Sequence, residues 1–313
     1  MWKEILIAAC IMIPIIFIGY KIIEYYNKYI MVKDALIVSG QNNIFCEKYK
    51  PPCDIVLQDN LSVPFDIVAE PFDKHVALFC VDLISRIIAL YLPPKLDSFS
   101  VHPDLTLIKE LVYPDGEFPI MGYVAKDKMS GNVWIAFRGS LDKADIRKDM
   151  IYKQTDLISP FTHDDSIKCH TGFTNVYKTF RWDMVDAVKS VGANKIIITG
   201  HSLGAGLATI ASYEFGLRGY DVYTYTFASP RVGNIAFARA VYMNSKCFYR
   251  IVNISDLVPT LPIAVMPNMR DKNNPFIYKH VGDEQVIEFD QNWKSIENNH
   301  MIYNYRHFLK GLM

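Results

Sequence analysis

A serine near the middle of the chain stands in a context that predicts a reactive nucleophile. Residues 200–204 read GHSLG and fit the pattern G-x-S-x-G around Ser202. The apolar, β-branched run at 195–199 predicts a buried strand, and the Ala- and Leu-rich segment Leu203–Leu217 predicts a helix after the serine. A sharp turn between the two strains the backbone at the serine and leaves room only for glycine on either side. The context therefore predicts that Ser202 performs nucleophilic attack.

Two backbone groups beside this serine are candidates for stabilising an oxyanion. The predicted helix begins at Leu203, so its first N–H groups and its partial positive charge face an anion that forms at Ser202. A predicted strand at Val133–Arg138 ends in Gly139-Ser140, and the N–H of Ser140, together with its hydroxyl, is the second candidate. A plain turn after a core strand is the alternative role for Ser140.

A candidate acid for the same site follows another predicted strand. Asp256 lies just after Phe248–Ile254, at the carboxyl edge of the sheet where Ser202 is also expected. A carboxylate in that place holds an imidazole in the required tautomer and stabilises its protonated form. Asp283 and Asp290 are the alternatives for this role.

The candidate base is sought among the histidines of the C-terminal part of the chain. His300 lies on a predicted loop before a helical tail, which gives it freedom to reach Ser202. His280 stands in a strand-like segment and is the alternative, whereas His307 lies within the helical tail. The order Ser202, Asp256, His300 is the chain order of α/β-hydrolases, which favours His300.

An apolar segment interrupted by prolines follows the candidate acid. It spans 257–266, reads LVPTLPIAVM, and predicts one wall of an acyl-binding groove or, equally, part of the core. Its candidate substrate-binding residues are Leu257, Val258, Leu261, Ile263 and Val265. The charged segment 141–165 also has two interpretations, a flap over the site or a solvated helix and loop.

The remaining patterns predict an α/β fold that would position these residues. Helical periodicity over Asp73–Leu92 predicts an amphipathic helix. Three strand-like segments joined by turns, Leu105–Tyr113, Phe118–Lys126 and Val133–Arg138, predict a β-meander. From His170 to Ile254 helical and strand patterns alternate, which predicts a mainly parallel central sheet flanked by helices on both faces.

The N-terminus predicts a membrane anchor. Residues 5–23 are nearly all apolar and long enough to span a hydrocarbon core, so we assign 1–30 to a single-pass anchor. A cleaved signal peptide is the alternative, but no small-residue cleavage site follows the apolar run. Lysines are more frequent after the span than before it, which favours a cytoplasmic location for the rest of the chain. Residues 31–64 are interpreted as a linker and 65–313 as the folded domain.

Composition excludes some classes of partner. The chain has 33 Lys and Arg against 33 Asp and Glu, a formal net charge of zero, and the charges are spread evenly, which argues against nucleic-acid binding. No C-x-x-C occurs among the six cysteines, so a zinc site is not expected. Cys46 and Cys53 bracket a short loop and could pair in an oxidising compartment, whereas Cys80 is interpreted as a core residue. Oligomeric state cannot be read from these features.

The chain resembles the class 3, fungal-type lipases in several separate stretches, which occur in the family order and extend over about residues 65–310. The matching stretches are VWIAFRGS (133–140), CHTGFTNVY (169–177), IIITGHSLGAGLATIAS (196–212), TFASPRVGN (226–234), RIVNISDLVPTLP (250–262), YKHVG (278–282) and HMIY (300–303).

This resemblance implies an α/β-hydrolase fold with Ser202 as nucleophile, Asp256 as acid and His300 as base. It also implies Ser140 and Leu203 as the oxyanion pair, a lid in the segment after Ser140, and no metal or organic cofactor. Three features depart from the family pattern: the lid region is charged, the N-terminus carries a predicted anchor, and the glycine often found after the histidine is missing.

The expected function is therefore a membrane-attached serine ester hydrolase that acts on acyl esters of lipids. A phospholipase or a small-ester esterase on the same fold is the alternative. A catalytically silent lipid-binding protein is a further alternative, which the intact Ser, Asp and His set argues against.

Overall fold

The computed structural model describes residues 71–91, 98–114, 118–141, 153–156, 164–268, 271, 273–289 and 296–311. These residues belong to the second of two units into which the chain divides, Asp66–Met313. The predicted anchor at 5–23, the linker at 31–64 and the pair Cys46–Cys53 lie outside the described residues. Within the described ranges, no helix is both long enough and apolar enough to cross a bilayer.

A seven-stranded sheet forms the centre of the described part of the chain. Its strands are β1 (Leu105–Val112), β2 (Ile120–Asp127), β3 (Val133–Phe137), β6 (Lys195–His201), β7 (Asp221–Phe227), β8 (Cys247–Asn253) and β11 (Asp283–Ile287), in the order β1-β2-β3-β6-β7-β8-β11. The first three strands pair antiparallel, and every pair from β3 to β11 is parallel. The predicted β-meander and the mainly parallel sheet are both confirmed.

Helices cover both faces of this sheet. They are α1 (Lys74–Ala89), α2 (Thr171–Val191), α3 (Leu203–Leu217), α4 (Ile235–Met243), α5 (Ile296–His300) and α6 (Ile302–Gly311). Ile196 and Ile198 of β6 pack with α2, α3 and α4, whereas Ile197 between them packs with α1 and α6 on the opposite face. The continuous apolar run of β6 is explained by this burial on both faces, because side chains alternate along a strand.

Two segments differ from the sequence prediction. In the charged segment 141–165, residues 142–152 and 157–163 lie outside the described residues, so the flap interpretation stays a prediction. Gln154–Asp156 forms a short strand, β4, which pairs antiparallel with β5 (Lys168–His170) and was not predicted. The strand-like segment around His280 is mostly loop. The nearest strand, β10 (Phe276–Ile277), pairs with β9 (Val265–Met266) and ends before His280. Both ribbons are held by tertiary pairing, which short local patterns do not encode.

Candidate active site

Ser202 occupies a tight turn between the central strand β6 and helix α3. Its backbone has φ 56° and ψ −123°, a conformation that is uncommon for a residue with a Cβ and costs about 1–3 kcal/mol. The Ser202 N–H donates to the Phe227 carbonyl of the neighbouring strand at 3.0 Å, which holds the turn in place. The hydroxyl is therefore presented from a rigid, strained position at the carboxyl end of the sheet.

Glycine is required on both sides of this turn. A Cβ placed on Gly200 would lie 2.1 Å from the Gly204 carbonyl oxygen. A Cβ on Gly204 would lie 2.3 Å from the carbonyl oxygen of Arg138, at the end of β3. Any larger residue would push α3 away from β6 and β3, so the G-x-S-x-G spacing is needed for this close packing.

His300 connects the serine to the carboxylate. Its Nε2 lies 2.8 Å from the Ser202 Oγ, and its Nδ1 lies 2.8 Å from the Asp256 Oδ2. The carboxylate accepts a hydrogen bond from the Nδ1–H group, which leaves the Nε2 lone pair facing the hydroxyl in the neutral imidazole. The three residues singled out from the sequence are thus brought together in one hydrogen-bonded series. The expectation that His300 lies on a loop is wrong, because it is the last residue of α5.

The carboxylate is itself held by two further donors. The Tyr305 hydroxyl donates to the Asp256 Oδ2 at 2.8 Å, and the Val258 N–H donates to Oδ1 at 2.9 Å. The Asn253 N–H in turn donates to the Tyr305 oxygen at 3.1 Å. Burial and the negative charge of Asp256 raise the pKa of Tyr305 well above its usual value, so its hydroxyl stays protonated and can donate. Sequence reasoning missed Tyr305, because an aromatic residue in a helical tail resembles an ordinary core residue.

His201, which precedes the serine, contacts His300. Its Nε2 donates to the His300 backbone carbonyl at 2.8 Å, and the two ring centroids are 4.7 Å apart. Burial, and then the neighbouring His300, hold the pKa of His201 well below its usual value. A neutral His201 adds no positive charge beside His300 when that ring takes up a proton. The sequence analysis did not single out this residue.

The two candidate oxyanion donors belong to segments that adjoin Ser202. Leu203 is the first residue of α3, so its N–H is at the free N-terminal end of the helix. On the other side, a Cβ placed on Gly139 would lie 3.1 Å from the Ser202 Cβ. The chain therefore passes beside the serine at Gly139 and continues into the half-buried Ser140.

The five apolar residues predicted to bind an acyl chain are not part of the buried core. Leu257, Val258, Ile263 and Val265 are half-buried, and Leu261 is 44% exposed. Val258–Thr260 forms a single 3₁₀ turn immediately after Asp256, so the segment begins beside the candidate triad. Of the two interpretations left open by the sequence, this exposure favours a surface-accessible apolar segment over core packing.

The structure places the described alternatives, Asp283 and His280, in other surroundings. Asp283 begins β11, at the opposite edge of the parallel sheet from the carboxyl ends, and Asp290 lies outside the described residues. His280 donates from Nε2 to the Pro259 carbonyl at 2.8 Å, and its buried Nδ1 has no hydrogen-bond partner in the described part of the chain. In the part of the chain that the structure describes, no group of three or more His, Cys, Asp or Glu side chains could hold a metal ion.

His280 makes the stability of the fold sensitive to acid. Burial, and then Arg231 and Arg250, hold the pKa of His280 well below its usual value, so the folded protein keeps it neutral. The unfolded chain binds a proton there below about pH 6.5, so stability is complete above that pH and falls as the pH decreases. The expected slope is up to about 1.4 kcal/mol per pH unit for this residue.

Urea unfolding between pH 7.5 and 5.5 measures this slope. His280→Gln retains an N–H for the Pro259 carbonyl and cannot titrate, so its stability should fall less steeply than that of the wild type. His307→Gln, at an exposed histidine of α6, is the matched control and should keep the wild-type slope. Identical slopes for wild type and His280→Gln would contradict the prediction.

The fold and the site together define the class of protein. A mainly parallel sheet with a serine at a strained strand-to-helix turn, followed along the chain by the aspartate and the histidine, is the arrangement of the α/β-hydrolases. Lipase from Rhizomucor miehei, solved as a propeptide complex, superposes with a TM-score of 0.53 over 68% of this chain and 68% of that chain, at 23% identity. This likeness shows the same fold.

Comparison with known sequences finds similarity to lipases over part of the chain. Residues 134–266 match the model of the family described as Lipase (class 3). A secreted mono- and diacylglycerol lipase A from Penicillium cyclopium is 34% identical over 176 residues, 55% of this chain and 53% of that protein. A secreted mono- and diacylglycerol lipase 1 from Fusarium solani is 30% identical over 175 residues, 54% of this chain and 48% of that protein. Residues 134–266 are therefore similar to the class 3 lipases, and the chain spans about half the length of these relatives.

Proposed function

We propose that this protein is a serine ester hydrolase that cleaves acyl esters of lipids. The observation that carries the proposal is the series Ser202–His300–Asp256, with two contacts of 2.8 Å beside a helix N-terminus. The match of residues 134–266 to the family model described as Lipase (class 3) supports ester hydrolysis as the reaction. The relatives described as mono- and diacylglycerol lipases support glycerolipids as the substrates.

The proposed reaction begins with acyl transfer to the serine. The Ser202 Oγ attacks the ester carbonyl carbon while the His300 Nε2 takes the hydroxyl proton. The carbonyl oxygen becomes an oxyanion, which accepts hydrogen bonds from the N–H groups of Leu203 and Ser140. Collapse of this intermediate breaks the ester C–O bond, and the leaving alcohol takes the proton from His300.

The second half of the reaction releases the acid. A water molecule gives a proton to the His300 Nε2 and attacks the acyl carbon, and collapse returns that proton to the Ser202 Oγ. Asp256 holds the Nδ1 proton in both halves and stabilises the imidazolium. Because Tyr305 and the Val258 N–H fix both carboxylate oxygens, the ring orientation is set before substrate binds.

The proposed substrates are glycerolipids with long acyl chains, presented at a membrane surface. Apolar side chains lie exposed or half-buried in the segment that follows Asp256, where they offer area to an acyl chain. Each methylene buried there stabilises the complex by about 0.8 kcal/mol, which is about a fourfold gain in kcat/KM. We therefore expect kcat/KM to rise with acyl length from C2 until the groove is full.

The test measures kcat/KM for C2 to C16 acyl esters and for mono-, di- and triacylglycerols and phospholipids in vesicles. Leu261→Ser should reduce the gain in kcat/KM with acyl-chain length. Leu107→Ser, at an exposed leucine of β1, should leave that gain unchanged. A maximum at C2–C4 without turnover of any vesicle lipid would instead support a small-ester esterase. A preference for phospholipids would support a phospholipase. The absence of turnover with any ester would support a silent lipid-binding protein.

A membrane anchor at residues 5–23 is the remaining part of the proposal. It rests on the length and apolar composition of that segment alone. The full chain should stay in the membrane fraction after alkaline carbonate extraction, and its N-terminal sequence should begin before residue 5. A mature N-terminus near residue 25 would replace the anchor with a cleaved signal peptide.

A further inference from the structure

Arg138 is a fully buried arginine at the end of β3 that lies outside the candidate triad. Its side chain is 0% exposed, and its three nitrogen atoms each donate to a backbone carbonyl. Nε bonds to Ile120 at 2.9 Å, Nη2 to Phe118 at 2.5 Å, and Nη1 to Gly139 at 2.7 Å. Burying a guanidinium is costly unless its donors are satisfied, and these bonds use three of its five N–H groups in the planar geometry that only arginine offers.

The Gly139 carbonyl is part of the peptide unit that carries the Ser140 N–H. In a planar trans peptide the C=O and N–H bonds point in opposite directions, so holding the carbonyl also fixes the direction of the N–H. The same peptide adjoins the nucleophile, because a Cβ on Gly139 would lie 3.1 Å from the Ser202 Cβ and 2.8 Å from the His201 Nδ1. Arg138 thus holds the Gly139–Ser140 peptide beside Ser202 through a hydrogen bond to the Gly139 carbonyl.

We propose that Arg138 is the positioning residue of the oxyanion hole. Its guanidinium holds the Gly139–Ser140 peptide so that the Ser140 N–H is directed at the oxyanion before substrate arrives. Donation from a cation to the carbonyl also polarises the amide and makes its N–H a stronger donor. This inference rests on the proposed function, since Ser140 is an oxyanion donor only if Ser202 is the nucleophile.

The rest of the Arg138 contacts explain why the peptide does not move. The Nε and Nη2 bonds join the guanidinium to Ile120, the first residue of β2, and to Phe118, two residues before it. The Ile120 N–H donates to the Tyr91 hydroxyl at 2.8 Å, and the guanidinium lies 5.8 Å from the Tyr91 ring centroid. The oxyanion peptide is therefore fixed to strand β2 as well as to its own strand.

Loss of the guanidinium should affect the transition state more than the bound substrate. Removing an oxyanion donor outright lowers kcat about 10²- to 10³-fold. Arg138→Met keeps the Ser140 N–H but frees its direction, so we expect kcat to fall about 10- to 100-fold with little change in KM. Arg138→Lys keeps the charge but cannot bond three carbonyls in the planar geometry of a guanidinium. Its kcat should therefore lie between those of the wild type and Arg138→Met.

The direct test is the acidity of a hemiketal formed at Ser202. An alkyl trifluoromethyl ketone, labelled with ¹³C at the carbonyl, adds the Ser202 Oγ to give a hemiketal whose oxygen titrates, and its ¹³C shift reports that pKa. Arg138→Met should raise the hemiketal pKa by one unit or more, which corresponds to a tenfold or larger loss of oxyanion stabilisation. Arg138→Lys should raise it by less.

Arg181→Met is the matched control. Arg181 donates to both carboxylate oxygens of Glu214, so the variant loses a partly buried arginine contact and stability. Glu214 lies eleven residues after Leu203 on α3, which is about 16 Å along the helix. The hemiketal pKa of this variant should therefore equal that of the wild type.

The outcomes separate this inference from the proposed function. Failure of the wild type to form an adduct, or an adduct in Ser202→Ala, contradicts the nucleophile assignment itself. A normal wild-type adduct with unchanged pKa and kcat in the Arg138 variants overturns the positioning role. A change in KM or stability alone, without a pKa change, also overturns it. If Arg138→Met does not fold, the conservative Arg138→Lys variant decides by the same measurement.

Discussion

Ser202→Ala is expected to abolish ester hydrolysis while the protein remains folded. The change removes only the hydroxyl oxygen, whose hydrogen-bond partner is the His300 Nε2 at 2.8 Å. Loss of the nucleophile in a comparable triad lowers kcat on the order of 10⁶-fold. The measurement is kcat on an acyl ester of intermediate length, with far-UV circular dichroism and Tm recorded on the same sample.

A buried serine on the same helix provides the control. Ser212 of α3 hydrogen-bonds to the Ala208 carbonyl and to Thr224 at 2.7 Å, away from the nucleophile. Ser212→Ala should lower Tm and retain hydrolysis. Turnover near the wild-type rate in Ser202→Ala would contradict the proposed mechanism.

Asp256→Asn should reduce kcat about 10⁴-fold without disrupting the fold. The reason lies in the three groups that donate to the carboxylate, from His300, Tyr305 and the Val258 backbone. An asparagine can keep its oxygen facing the Val258 N–H only by turning its NH₂ group toward the His300 Nδ1. That nitrogen must then accept, so Nε2 carries the proton and cannot receive one from Ser202.

Steady-state kinetics of Asp256→Asn and His300→Ala test this argument, with Asp283→Asn and His280→Gln as the paired controls. The first two variants should each lose turnover by several orders of magnitude, His300→Ala more than Asp256→Asn, with little change in KM. Asp283 lies at the opposite edge of the sheet, and His280 bonds to the Pro259 carbonyl, so the controls should retain turnover. Loss of chemistry in well-folded controls, but not in the first pair, would mean that the assignment is wrong.

Local pattern was sufficient to predict the β6–α3 turn. Burial of β6 on both faces, the glycine spacing and the helix α3 are properties of one contiguous segment, and the helix bounds agree with the prediction. Asp256 also follows a strand, β8, as its position in the chain indicates. The steric need for glycine and the alternation of strands and helices are therefore readable without a structure.

The supporting contacts of the site could not be read in this way. Arg138, His201 and Tyr305 donate to carbonyl or carboxylate oxygens that are remote in sequence or, for Arg138, on the next residue. Their residue types are equally compatible with surface or core positions, and only the burial of polar groups in three dimensions distinguishes them. The ribbon of β4 and β5 was missed for a related reason, since it depends on tertiary pairing.

The distance along the chain between Ser202 and His300 has a consequence for biosynthesis. The two side chains that meet at 2.8 Å are separated by 98 residues, and the histidine belongs to a short helix that follows the last strand of the sheet. At a translation rate of about 5–20 residues per second, the serine exists for about 5–20 seconds before the proposed base is synthesised. Under the proposed mechanism, the nascent chain therefore remains chemically inert toward esters until its C-terminal helices have docked.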